Sequence, residues 1–237
     1  MTTSSSESTY DGRANLEAMK HAKRYNAFLL DLIRSNSAGA QILDFGAGAG
    51  TFALPMSNGD VRVTCVEPDA LLRAELEQSS LKVASSLKEI APNSVDYVYS
   101  LNVLEHIKDD RQTILDLYQC LKPGGRFFLY VPAFKLLYSQ MDHHVGHFRR
   151  YRRKPLRRLL ESSGFAIQTA FYVDSLGFLA TLAYKLAGDR SGEISPGSIA
   201  LYDTLVFPLS RVIDFVAAGS FGKNLAIVAT KPSNTRD

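Results

Sequence analysis

The sequence predicts a three-layer α/β domain, a mostly parallel sheet with helices on both faces. Three observations carry that prediction. From residue 41 onward, short apolar segments alternate with helical periodicities, the order that gives parallel strands joined by right-handed crossovers. The first apolar segment, QILDF, runs directly into a glycine turn at Gly46, Gly48 and Gly50. The alternation breaks once, before the last strand, where about fifty residues intervene between Ser175 and Lys223.

The elements follow in order. Residues 14–34 place Leu16, Met19, Tyr25, Leu29, Leu30 and Ile33 at spacings of three and four, an amphipathic helix. QILDF is a short buried strand. VRVTCVEP is a second, rich in β-branched residues and stopped by Pro68. Asp69 is placed to cap the helix DALLRAELEQ. LKVAS is a weak third strand and VDYVYSLNV a strong fourth. RQTILDLYQCLKPGG reads as a helix running into a Pro-Gly-Gly stop, and RFFLYVPA as the fifth strand. KPLRRLLESSGF is a helix with Pro155 in its first turn and Gly164 at its end. AIQTAFYVD and NLAIVATK are the last two strands. Between them lie an almost wholly apolar stretch, SLGFLATLAYKLAG, and an amphipathic one, IALYDTLVFPLSRVIDFVAAG, which Pro208 is expected to bend.

Composition is that of an ordinary globular protein, and 237 residues suffice for one domain with a sizeable core. Met1 to Thr9 is polar and lacks the layout of a secretion signal. No run reaches the roughly 20 apolar residues of a membrane span. Cys65 and Cys120 are far apart in apolar surroundings, so a reducing cytoplasm is the expected compartment, with membrane association compatible. The net charge of +3 conceals a local feature. Residues 149–158 hold seven of the 27 basic residues and no acid; the remaining 20 face 24 acidic residues, a balance of −4.

The glycine turn sits where open α/β sheets bind ligands, at the carboxyl end of a strand. Glycines there let backbone N–H groups approach a ligand without interference from Cβ. The spacing is G-x-G-x-G, with Thr51 where the dinucleotide fingerprint would continue. Asp44 at the strand end suits a cationic or hydrogen-bond-donating ligand better than a pyrophosphate. Glu67, ending the second strand, can accept hydrogen bonds from two ribose hydroxyls.

With these residues the chain resembles the class I S-adenosylmethionine-dependent methyltransferases. ILDFGAGAGTFAL is similar to their cofactor loop, VTCVEPD to their ribose-binding strand, NSVDYVYSLNVLEHIKD to their fourth strand and its exit, and CLKPGGRFFLYVPA to the approach to the fifth. The resemblance covers roughly residues 14 to 172 and the last strand. It implies a Rossmann-like seven-stranded sheet, six strands parallel and the seventh antiparallel, and S-adenosylmethionine as cofactor. It further implies that Asp44, Gly46, Ala47, Gly48 and Gly50 line the methionine end. Glu67 would hold the ribose with Pro68 beside it, Ser85 would flank the adenine through backbone contacts, and Asn102 would lie near the amino-acid moiety or the methyl group. The implied division is a tail over 1–12, disordered, a catalytic domain over 13–174 and 223–231, and a helical insert over 175–222.

Methyl transfer from a sulfonium is an in-line displacement whose main demands are positioning and exclusion of water. A hydroxyl acceptor benefits from a base. MDHHVGHFRRY, residues 141–151, supplies candidates, and in relatives this region borders the acceptor pocket. His143 or His147 is the expected base, since histidine titrates near neutrality. Tyr25, Asp142, His144, Arg149 and Arg150 are the candidate substrate contacts. Asp142, His143, His144 and His147 show no regular metal-ligand spacing, and no metal is expected. Glu105 and His106 are read as capping or orienting the following segment, and Asp96 as orienting the fourth strand.

The basic stripe hints at an anionic partner, because Arg157 and Arg158 are expected in the first turn of a helix, where positive charge opposes the macrodipole. The insert reads as a lid, a homodimer contact or a membrane-surface contact, and an apolar segment near a basic stripe is compatible with a lipid-linked acceptor. The leading expectation is therefore a methyltransferase for a small-molecule or lipid-linked, anionic acceptor. Nucleic acid is disfavoured, since phosphate tracking uses a broader basic surface and stacking aromatics. A dinucleotide oxidoreductase is disfavoured by the glycine spacing. A non-catalytic binding module stands as a further alternative.

Overall fold

The computed structural model describes residues 19–186, 196–216 and 219–233. The expected tail and the start of the first helix lie outside the described residues. Seven strands form one sheet: β1 (Gln41–Phe45), β2 (Arg62–Val66), β3 (Lys82–Ala84), β4 (Val95–Leu101), β5 (Leu121–Pro132), β6 (Ala166–Val173) and β7 (Asn224–Thr230). Their order is β3-β2-β1-β4-β5-β7-β6, with β7 antiparallel to both neighbours and the other pairs parallel. This is the sheet the family resemblance implies.

Helices cover both faces, as a parallel sheet requires. Along β5, Phe127, Leu129 and Val131 pack on one side with Leu225 and Ile227 of β7. There they meet α4 (Asp110–Cys120) through Ile114 and Leu117, and α6 (Arg153–Ser162) through Leu156 and Leu160. Phe128 and Tyr130 face the other side with Ala226 and Val228. There they meet α1 (Lys23–Asn36) through Leu29 and Ile33, with α2 (Ala53–Met56) and α3 (Ala70–Gln78) beyond. Three tyrosines on this second face are buried and each hydroxyl finds a partner, as burial demands. Tyr97 donates to Ile33 O, Tyr99 to Asp44 Oδ2, and Tyr130 pairs with Tyr25 OH.

Several boundaries differ from expectation. The helix before β5 ends at Cys120, and Pro-Gly-Gly lies inside the strand as an irregularity between Leu121 and Arg126. The glycine backbone is held by Lys231: Gly124 N donates to Lys231 O and Lys231 N to Gly125 O. α6 begins at Arg153, so Arg157 and Arg158 fall in its second turn, away from the dipole's positive end. β4 stops at Leu101 because Asn102 adopts a left-handed φ of 52°. As expected, Asp69 Oδ1 accepts from Leu71 N and Leu72 N at the start of α3, and Asp96 accepts from Ala40 N and Gln41 N beneath β1.

The insert contains α7 (Ser175–Leu186), α8 (Pro196–Leu201), a wider π-type stretch (Tyr202–Val206) and α9 (Phe207–Val216). Pro208 accounts for the widening just before it. Proline cannot donate to the carbonyl four residues back, here Thr204 O, and that carbonyl accepts from Arg24 Nη1 instead. Asp203 of the same stretch reaches α1 and accepts from Arg24 N and Tyr25 N. It is the cap that α1 lacks locally, since Ala22 offers no side-chain acceptor. Arg211 stacks 3.9 Å from the centre of the Phe28 ring, and Phe207 packs edge-on against Tyr25. Removing the cap with Asp203→Ala should cost about 1–2 kcal/mol, a fall in Tm of roughly 2–8 °C; an unchanged thermal transition would show that α1 does not depend on the insert.

Candidate active site

The carboxyl ends of β1, β2, β4, β5 and β6 share one edge of the sheet. At β1 the turn takes left-handed φ at Gly46, Gly48 and Gly50. Gly46 is confined as well: a Cβ there would lie 2.2 Å from Val103 Cγ2, so the turn and the exit of β4 are packed against each other. Gly46 N donates to Val66 O, tying the turn to β2. Glu67, one residue past β2, completes the tie. Its Oε2 accepts from Gly48 N at 2.8 Å and its Oε1 from Asp69 N at 2.9 Å. The carboxylate is thereby held in one orientation, with lone pairs left for a ligand's hydroxyls. Pro68 beside it is exposed and its carbonyl accepts from Arg73 Nη1.

Asp44 ends β1 almost fully buried and accepts from Tyr99 OH at 2.8 Å. Burial pushes its carboxyl up to about 7; the Tyr99 hydrogen bond opposes this and the nearby Glu67 carboxylate adds to it. A cation beside Asp44 would favour the ionised form. Ala47 is buried in the turn, Asn102 is exposed at the exit of β4, and Ser85 is exposed past β3. Ser85 N and Oγ are both taken by Glu89 Oε1.

Three consecutive strand exits carry a non-glycine residue in the left-handed region: Asn102 after β4, Phe134 after β5 and Asp174 after β6, with φ of 52°, 58° and 69°. Such conformations cost free energy and collect at functional edges. Tyr25 reaches this edge from α1. Its hydroxyl meets Tyr130 OH at 2.9 Å and accepts from Asn224 Nδ2 at 3.3 Å. Burial raises the Tyr25 phenol well above its ordinary value, so it serves as a donor and not as a base.

The segment after β5 divides the remaining candidates. α5 (Gln140–His144) leaves His143 and His144 exposed. Asp142, His147 and Arg150 come together. Arg150 binds Asp142 through two bonds, Nε to Oδ1 at 2.8 Å and Nη2 to Oδ2 at 3.0 Å, and His147 Nδ1 lies 2.7 Å from Oδ1. Burial would raise the Asp142 carboxyl, but the bonds from His147 and Arg150 outweigh it and hold it at about 2. An ionised Asp142 can only accept, so Nδ1 of His147 is the donor to it, and in the neutral ring Nε2 is the nitrogen with the lone pair.

Nε2 of His147 lies 3.8 Å from Glu105 Oε1, and the His106 ring stands edge-on 4.5 Å away. Glu105 departs from expectation. Its side chain is fully buried and neither carboxyl oxygen has a hydrogen-bond partner among the described residues, so the carboxylate caps nothing, while its carbonyl accepts from Phe148 N. Burial pushes its carboxyl up to about 8. Glu105, His106 and His147 each offer a ligand atom within 4.8 Å of the others, a grouping distinct from the histidine run weighed in the sequence.

The basic stripe is largely committed within the protein. Arg149 pairs with Asp110 at 2.7 Å, Arg150 with Asp142, and Arg157 with Glu161. Arg152 and Arg153 lie over the rings of Phe134 and Tyr172. Sequence reasoning did not single out Tyr99, Tyr130, Asn224 or Val103, whose roles arise from strands far apart in the chain.

Residues 17–170 match the family model described as a methyltransferase domain. The ubiquinone biosynthesis O-methyltransferase of Pseudomonas aeruginosa is 31% identical over 106 residues, 40% of this chain and 46% of that protein. The one from Pseudomonas putida is 31% identical over 105 residues, 40% and 45%. The match thus spans about half the length of these relatives. Among solved structures, a SAM-dependent methyltransferase from Archaeoglobus fulgidus superposes with a TM-score of 0.62 at 19% identity, covering 92% of this chain and 99% of the other. Phosphoethanolamine N-methyltransferase 2 of Haemonchus contortus, solved with S-adenosyl-L-methionine, gives 0.57 at 22%, covering 88% and 52%. These likenesses establish the fold. The family match takes in more than half of the chain, and with the glycine turn and Glu67 at their strand ends the chain belongs to the class I S-adenosylmethionine-dependent methyltransferases.

Proposed function

We propose that this protein moves a methyl group to a hydroxyl of a small-molecule or lipid-linked acceptor. The observation that carries the cofactor side of this reading is the Glu67 carboxylate, fixed by Gly48 N and Asp69 N one strand away from the buried Asp44. Glu67 would accept the ribose hydroxyls, and Asp44 with the turn from Gly46 to Gly50 would face the cationic methionine end. The cofactor supplies a methyl group already activated as a sulfonium. The protein's part is to position the acceptor, exclude water and take the acceptor's proton.

His147 is the base in this reading. Asp142 fixes its tautomer and leaves Nε2 able to take a proton. His143 and His144, exposed on α5, have no comparable support. The insert supports a lipid-linked acceptor. Along α8, the π-type stretch and α9, the positions turned inward are Asp203, Phe207, Ser210 and Asp214, while Leu201, Leu205, Leu209, Val212, Phe215 and Val216 are exposed. That pattern is inside out for a helix facing water and fits one resting on an apolar film. No helix among the described residues is long and apolar enough to cross a membrane. The relatives in ubiquinone biosynthesis are named O-methyltransferases, which fits a hydroxyl acceptor. Internal pairing of the basic stripe weighs against nucleic acid.

Two measurements check this reading. Because Asp44 is held near 7, its ionised fraction rises with pH through neutrality. Affinity for S-adenosylmethionine should therefore rise roughly tenfold between about pH 6 and pH 8, and Asp44→Asn should flatten the profile; a flat wild-type profile would remove Asp44 from the site. Second, methyl-tritiated S-adenosylmethionine is offered with soluble phenols and amines, polyprenyl-linked phenols in vesicles, RNA and DNA. Label should reach a phenolic acceptor, and His147→Ala should slow transfer by roughly 10²–10⁴-fold with S-adenosylhomocysteine affinity unchanged. Label on nucleic acid, or full activity in His147→Ala, would contradict the proposal.

A further inference from the structure

The position just before β7 holds a cation, Lys223, whose ammonium has no hydrogen bond or ion pair among the described residues. Lys223 N donates to Asp174 O and its carbonyl accepts from Ala133 N, so the residue is clamped between the exits of β6 and β5 on the site edge. Its neighbour Asn224 points to Tyr25. Strand alternation sends Lys223 to the opposite face, where Leu225 packs and where Arg150 Nη1 approaches Ala133 O at 3.4 Å. The side chain is half-buried, and among the described residues its ammonium makes neither a hydrogen bond nor an ion pair.

The charges it feels are Asp174, Arg150 and Asp142. Neither carboxylate makes an ion pair or hydrogen bond with its ammonium: Asp142 has both oxygens taken, and the bonds to Asp174 gather on Oδ1. Asp142 already accepts from Arg150, His147 and Ser139 N. Asp174 Oδ1 accepts from Tyr202 OH, Ser210 Oγ and Gly177 N. Arg150 is spent on Asp142 and adds repulsion. Desolvation lowers the Lys223 ammonium below its ordinary range, and Asp174 only partly offsets this. A partly desolvated ammonium with three donors and no acceptor among the described residues gains from a ligand that supplies one.

We infer that Lys223 is a specificity residue that binds an oxyanion, carboxylate or phosphate, on the acceptor. This rests on the methyl-transfer reading and adds to it the recognising residue and the chemistry recognised. It also adds a second place for the anionic preference: Arg149, Arg150 and Arg157 of the basic stripe are held in internal pairs, whereas Lys223, a single lysine outside it, makes no such pair among the described residues. A desolvated ammonium is a better anchor than a solvated arginine, because its charge is screened less.

The test uses the full chain loaded with S-adenosylhomocysteine, titrated by calorimetry with benzoate and phenyl phosphate and with phenol and benzyl alcohol as neutral counterparts. The anions should bind at least tenfold more tightly than the neutral compounds. Lys223→Met should abolish that preference, Lys223→Arg should retain most of it, and all three proteins should bind S-adenosylhomocysteine alike. Whichever of the two anions binds better separates carboxylate from phosphate. No anion preference in the wild type, undetectable binding included, or a preference that survives Lys223→Met, overturns the inference. Failure of the wild type to bind S-adenosylhomocysteine would overturn the methyl-transfer reading instead, and the same anion titration on the unloaded chain would still decide the role of Lys223.

Discussion

The Glu67 carboxylate is the joint on which the site edge depends. It lies between the first two strand exits and accepts one backbone N–H from each side, Gly48 on the β1 turn and Asp69 on the turn into α3. Two charge-assisted bonds to one carboxylate set the spacing of the two loops. The packing of Gly46 against Val103 then carries the same constraint to β4. Asp44 is buried beneath this joint, where its charge is costly until a cation shares it.

A second constraint assembles the cover. Asp203 lies in the insert and caps α1 almost 180 residues earlier in the chain, contacting N–H groups that helix geometry leaves without partners. Pro208 makes this arrangement compatible with a helix, since the carbonyl it cannot satisfy is taken by Arg24. α1 and the insert are therefore tied to each other, and Tyr25 at the start of α1 stands against Tyr130 and Asn224. Acidic residues buried on the inner face of a helix that is apolar outside follow from the same logic. The inward positions are reserved for tying elements together.

Local spacing made the sheet legible. Strand, glycine turn and acidic strand end are adjacent in sequence, and so Glu67, Asp69 and the turn could be placed from the residues alone. Pro-Gly-Gly was misread as a helix stop because the partner that keeps it in the sheet, Lys231, lies more than a hundred residues away. The basic stripe suggested an open surface for an anionic partner, yet Asp110 and Asp142 neutralise its first two arginines, and pairing across a fold leaves no trace in composition. The sequence leaves His143 and His147 open as the base and sets His144 among the substrate contacts. One short helix separates them, exposing two and delivering the third to Asp142. Glu105 was not legible in the sequence, because what distinguishes it is burial with no hydrogen-bond partner for its carboxyl oxygens among the described residues.

The claim that matters most is that this edge holds a sulfur nucleoside through Glu67. Calorimetric titration of S-adenosylhomocysteine and of NAD⁺ into the wild type and Glu67→Gln tests it directly. The account predicts that S-adenosylhomocysteine binds the wild type, that Glu67→Gln weakens it roughly ten- to hundredfold through loss of charge-assisted bonds, and that NAD⁺ gives no binding heat. Tighter binding of NAD⁺ than of S-adenosylhomocysteine, or equal S-adenosylhomocysteine affinity in both proteins, would contradict it.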